Sequence, residues 1–203
     1  MPTPESRIPK MLKLKLATDP RWANIAEKSL GEILTDHAYC EQKAATSGIN
    51  MINFCPWHPR LVSEMAALVA EEWGHFRKVL KELEKRNLPL GHKRKDEYVI
   101  QLLKLKFGGG NRSNNTCENL LINAMIEARS CERFRVLSLN MEDKYFREFY
   151  HEFMISEAGH YAMYIDLAKD FMPEKYVNER WEEILEGEAK ILAGLELRGD
   201  RVH

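Results

Sequence analysis

The stretch Ala70–Lys78, AEEWGHFRK, sets Glu72 and His75 three residues apart with Gly74 just before the histidine. On an α-helix, residues i and i+3 lie on one face about a turn apart, so both side chains can reach a single ion. A lone Glu-x-x-His is ordinarily a solvated helix face. Its meaning depends on whether the chain holds a partner for it.

The partner stands at Ile155–Met163, ISEAGHYAM, where Glu157-x-Gly-His160 repeats the pattern. A dinuclear carboxylate site in a helical bundle also takes one glutamate from each of two further helices. Glu41, in YCEQKAA, precedes Glu72 by 31 positions, and Glu127, in MIEARSC, precedes Glu157 by 30. In an antiparallel hairpin, residues equidistant from the turn lie level with each other. The first pair centres within Cys55–Pro59 and the second within Asn140–Asp143, both of which read as chain breaks. Each glutamate therefore faces its Glu-x-x-His across its own hairpin.

Two rivals fail this test. Glu148-x-x-His151 places His151 nine residues before His160, a half-turn beyond two full turns, and so on the opposite face. Glu132 in place of Glu127 would shorten the second spacing to 25 and lose the match. Four carboxylates in segments as apolar as LINAMIEARS and MAALVAEEWGHF would be costly to bury uncompensated. Two divalent ions would neutralise them, with two neutral imidazoles completing the shell. Such a donor set, without thiolate, favours iron or manganese over zinc or copper(I). Cys40 neighbours Glu41 but points about 100° away from it and reads as a small core residue. His37, one turn before Glu41 on the same face, reads first as a packed core histidine, with support of that ligand or a substrate-facing position as the alternatives, and Tyr161 and Tyr164 read as core or ligand-supporting groups around His160.

Working outward, Ala, Leu, Glu, Lys and Met recur at helical spacing almost throughout. Five long helices are expected, near 20–53 (with Gly31 and Gly48 as weak points), 59–86, 116–139, 143–172 and 174–195. Pro56 and Pro59 break the chain after the first, since each disfavours helix in the residue before it. A short amphipathic run, DEYVIQLLKLKF, and the flexible GGGNRSNN lie in a crossover at 87–115. Two hairpins joined by a long crossover are the connectivity of an all-α, ferritin-like four-helix bundle, here with an extra C-terminal helix and a single domain over 1–203. The Glu-rich fifth helix is expected to keep a solvated outer face.

A net charge of −1 carries no global electrostatic message, so any nucleic-acid surface must come from local segregation. The four cysteines form no Cys-x-x-Cys pair, and MPTPESRIPK has no apolar secretory core, which suits a reduced, cytoplasmic protein. No apolar run approaches the roughly 18 residues of a membrane span, so no membrane role is expected.

With the ligand pattern assembled, the chain resembles the ferritin-like di-iron carboxylate proteins, and within them the bacterial tRNA 2-methylthio-N6-isopentenyladenosine hydroxylases. The likeness rests on ILTDHAYCEQKAA, EEWGHF, the glycine-rich crossover before NNTCENLLINAMIEARSCERF, and SEAGHY. It implies two iron ions held by Glu41, Glu72, His75, Glu127, Glu157 and His160, with dioxygen as co-substrate. It also implies a tRNA substrate whose isopentenyl group is hydroxylated. The chain carries neither a dinucleotide fingerprint nor iron–sulfur cysteine spacing, so an external electron-donor protein is expected. A monomer or small homo-oligomer is expected.

Between Lys85 and Arg112, eight basic residues stand against Asp96 and Glu97, a local excess of six positive charges. Lys93, Arg94, Lys95, Lys104, Lys106 and Arg112 are the candidate phosphate contacts. Tyr98, Phe107, Asn111 and Asn114 could stack on or hydrogen-bond to exposed bases. Two other readings compete: a ferritin- or rubrerythrin-like iron store or peroxide scavenger, and a helical RNA-binding protein whose six polar residues form a buried network without metal.

Overall fold

Pro59 opens a helix where a missing N–H costs nothing. His58 caps it, its Nδ1 accepting from the Leu61 amide at 3.1 Å. The corresponding turn after residue 140 is closed by Asp143, which accepts from the Tyr145 amide at 2.8 Å. These two breaks set the hairpins on which everything else depends.

The computed structural model describes residues 4–203; the first three residues of the N-terminal stretch read for a leader lie outside them. Among the described residues there are eight α-helices and no strand: α1 Pro4–Leu12, α2 Arg21–Lys28, α3 Leu30–Phe54, α4 Pro59–Lys85, α5 Glu97–Leu103, α6 Arg112–Asn140, α7 Lys144–Ala168 and α8 Glu174–Ala193. None of these helices is long and apolar enough to cross a membrane.

The chain divides into two compact units. One holds Ile25–Lys95 and Arg198–Val202, and is built on the hairpin α3–α4. The other holds residues to Asn24, Asp96–Leu197 and His203, and is built on the hairpin α6–α7 with α1, α5 and α8 against it.

The hairpins fall where the breakers put them, and three differences have local causes. The expected first helix is divided at Ser29, whose φ of −115° and ψ of 37° leave the helical region, so α2 and α3 are separate. The start of α6 moves from Thr116 to Arg112, because Asn111 Oδ1 accepts from the Asn114 amide at 3.0 Å and supplies an earlier cap. The amphipathic run of the crossover forms α5, capped by Asp96 Oδ1 accepting from the Val99 amide at 3.1 Å.

Gly48 is no weak point in α3. A Cβ there would lie 2.7 Å from Val69 Cγ2, so the glycine permits close approach of α3 to α4. The core between α6 and α7 is aromatic: Phe134 stacks on Tyr150 at 5.5 Å between centroids, and Phe149 meets Phe153 at 4.9 Å. Along α8, Glu179, Glu183 and Glu186 are exposed as expected, whereas Glu188 is completely buried.

Candidate metal centre

In the α3–α4 unit, α3 supplies Glu41 while α4 supplies Glu72 and His75, one turn apart. One donor atom from each of the three lies within 4.8 Å of the others. His75 Nδ1 is 3.3 Å from Glu41 Oε2 and 3.5 Å from Glu72 Oε2. Both carboxylates are buried, and the His75 side chain keeps 17% of its surface accessible. The hairpin register expected from the spacing around Pro56 is thus realised at atomic distance.

In the α6–α7 unit, α6 supplies Glu127 and α7 supplies Glu157 and His160, again with donor atoms within 4.8 Å of one another. His160 Nδ1 lies 3.5 Å from Glu157 Oε2. All three side chains are buried. Each cluster therefore offers two carboxylates and one imidazole, a net formal charge of −2 with neutral histidine, gathered in a nearly dry interior. That donor set fits one divalent cation of intermediate hardness per cluster.

The rejected residues lie elsewhere. Glu148 is exposed on α7, 3.7 Å from Lys144 one turn earlier on the same helix. Glu132 is taken up by Thr18, accepting from its amide at 2.9 Å and its hydroxyl at 2.6 Å, and by Arg129 at 2.9 Å. His37 is fully buried with Nε2 2.8 Å from Glu41 Oε1, so it adjoins the α3–α4 cluster. Tyr161 donates to the Met11 carbonyl at 3.3 Å and packs on Trp181, a core role.

Two neighbours were not evident beforehand. Glu71 Oε1 approaches His75 Nε2 at 3.9 Å from the solvent side. Its i, i+4 spacing was the available signal. Cys131, one turn after Glu127, donates its thiol to the Met154 carbonyl at 3.2 Å. Burial, followed by the negative charges of Glu157, Glu132 and Glu127, raises its pKa well above the ordinary thiol value, so it stays protonated and inert. Cys40, by contrast, is only half-buried, with Sγ 4.0 Å from Asp36 Oδ2, and is not the core residue its position suggested.

The candidate phosphate contacts divide into two kinds. Lys93, Lys95, Lys104 and Arg112 are exposed. Arg94 is held within the chain by Asp200 Oδ2 at 2.7 Å and by the Glu32 carboxylate, and Lys106 donates to Asn119 Oδ1 at 2.6 Å. Phe107, at 63% exposure, presents a bare ring, whereas Tyr98 is buried and unable to meet a base.

All-helical hairpins carrying buried Glu, Glu-x-x-His clusters define a ferritin-like carboxylate protein. The structure is similar to that of a protein with aldehyde deformylating oxygenase activity from Synechococcus (TM-score 0.86, 31% identity, covering 94% of each chain). Over residues 6–203 the chain matches the family described as tRNA-(MS[2]IO[6]A)-hydroxylase (MiaE), and it belongs to that family. It is 33% identical to the tRNA 2-(methylsulfanyl)-N(6)-isopentenyladenosine(37) hydroxylase of Pseudomonas putida, over 77% of this chain and 75% of that one. It is 34% identical to the enzyme of the same name from Salmonella typhimurium, over 59% of this chain and 43% of that one.

Proposed function

We infer that this protein is a dioxygen-dependent non-haem di-iron monooxygenase that hydroxylates the isopentenyl group of a hypermodified adenosine in tRNA. The observation that carries the reading is the duplicated cluster, Glu41/Glu72/His75 and Glu127/Glu157/His160, in a chain of the hydroxylase family. In this reading the six residues hold two iron ions, and the whole chain, 1–203, acts as one domain. Iron bound there would supply activation of dioxygen against an unreactive C–H bond.

The remaining tasks fall to the protein. Four carboxylates balance the charge of two divalent ions in an interior where neither could stand alone. The imidazoles, each on the same helix face as a carboxylate one turn away, set the ligand geometry on rigid helices rather than on loops. Burial of all four glutamates keeps bulk water from the reacting centre. His75 is the most accessible of the six, which supports approach of substrate from its side of α4. The reaction replaces C–H by C–OH, with the second oxygen atom leaving as water. It therefore consumes two electrons and two protons, supplied through an external electron-donor protein.

Exposed Lys93, Lys95, Lys104 and Arg112 would neutralise tRNA phosphates, and Phe107 offers a stacking surface. A tRNA substrate places the protein in the cytoplasm, and in this reading it acts as a monomer or small homo-oligomer. The direct test is Glu127→Ala, assayed by metal analysis of the purified protein and by nucleoside analysis of bulk tRNA. Iron content should fall and the hydroxylated nucleoside should vanish. Hydroxylation at the unaltered rate would refute the ligand assignment.

A further inference from the structure

Arg133, on α6 six residues beyond Glu127, is 6% exposed. Among the described residues it makes no ion pair, and its buried Nε has no hydrogen-bond acceptor. The Trp22 ring lies beneath it, 4.4 Å from Cζ to the ring centroid. Desolvation lowers its pKa to about 10, which leaves it charged at neutral pH. Arg129, one turn earlier, shows the usual arrangement instead, saturated by Glu188, Glu132 and the Leu16 carbonyl. Glu132 and Glu188 act on this guanidinium only through space, and its Nε has no acceptor, so a buried charge is left incompletely compensated and an anion from outside the chain would complete it.

Space for one adjoins it. Arg133 lines a partly open cleft of about 150 Å³ whose apolar wall is Leu16, Leu192, Leu195 and Leu197, with Leu16 and Leu197 at its exposed rim. The two acids that also border the cavity do not neutralise the arginine. Asp19 is engaged by Arg21, whose Nε donates to it at 2.9 Å, and Glu196 is exposed. Thr18 and His203 complete the polar edge, tied down by Glu132 and by Ser130 respectively. A cavity of about this volume accommodates a six-carbon ring.

We propose that this cavity binds a small organic monocarboxylate, its carboxylate on the Arg133 guanidinium and its apolar body against the four leucines. The site is separate from the six candidate metal ligands and does not depend on the metal reading. A bidentate guanidinium–carboxylate pair gives direction and charge selectivity, and the leucines exclude strongly hydrated inorganic anions.

The test is calorimetric titration of the full-length protein with benzoate, benzyl alcohol and inorganic phosphate. Benzoate should bind saturably at one site, and Arg133→Met should weaken it at least about tenfold while leaving any benzyl alcohol binding unchanged. Leu195→Trp, which fills the cavity but keeps the guanidinium, should also abolish benzoate binding and guards against misfolding of the arginine variant. Absence of saturable benzoate binding, equal binding by Arg133→Met, or phosphate binding as tightly as benzoate would each overturn the proposal.

Discussion

Arg129 and Glu188 form an ion pair with no exposed surface on either side chain, bridged at 2.8 Å. Burial opposes the charge on Arg129, but Glu188, by charge and hydrogen bond, and then Glu132 hold its pKa above the ordinary arginine value. Tyr98 donates to the same Glu188 carboxylate at 3.3 Å, and burial raises its phenol pKa well above 10. Breaking such a pair from one side strands a charge in the interior. Glu188→Ala should therefore lower the unfolding free energy by about 3–5 kcal/mol in urea denaturation. The double change Arg129→Met with Glu188→Leu should recover part of that loss, because it removes both charges of the pair while leaving Glu132 to Thr18 alone. Nothing local marks Glu188: it sits in a glutamate-rich helix whose neighbours are solvated, and its partner is 59 residues away.

At the scale of elements, helix contact and tail docking make separate predictions. Gly48→Ala drives a Cβ into Val69 Cγ2, a stiff branched side chain that cannot swing aside. It should cost about 1–3 kcal/mol, read by thermal or urea unfolding. The segment Arg198–Val202 is fastened within the α3–α4 unit by Asp200, which receives Arg94 at 2.7 Å and Arg198 at 2.9 Å. The Val202 amide donates to Asp36 at 2.8 Å. The hydrogen bond from Arg198, with the charges of Arg201 and Arg94, lowers the Asp200 pKa from 3.8 to about 2. A depressed carboxyl pKa stabilises the folded state above the usual value, and that contribution is lost as pH falls through about 2. Asp200→Asn should thus speed exchange of the Val202 amide at pH 6 by about two- to fivefold, the effect of a mostly solvated pair. The difference from the unaltered protein should fade near pH 2.

The hairpins themselves were legible at this scale, because Pro56 and Pro59 disfavour helix in the residue before each, and Asp143 offers a cap just after Asn140. The added caps were not. Asn111 and Asp96 start α6 and α5 where the sequence offers several polar residues in a row, and only the backbone path selects among them.

For the molecule as a whole, the segment Lys85–Arg112 carries six excess positive charges in a chain of net −1. If its exposed lysines meet tRNA phosphates, Lys93→Glu and Lys95→Glu should weaken tRNA binding regardless of sequence. Filter binding across a salt series should show the slope of log K against log salt reduced by about 0.7–0.9 per lost contact. Arg94→Ala belongs to a different class. Its guanidinium is already spent on Asp200 and Glu32, so its removal should loosen the tail with a smaller change in that slope.

The sequence by itself determined the six candidate ligands and their pairing within each hairpin. Helix rise and a common distance from a turn suffice to bring Glu41 level with Glu72, and Glu127 level with Glu157. Only the tertiary structure decided which charges are buried and with whom. Arg129 meeting Glu188, Arg94 meeting Asp200 across 106 residues, and Arg133 left facing a leucine-lined cavity follow from long-range packing. A helical period cannot encode such contacts, since it reports which face a side chain takes and not what lies opposite that face.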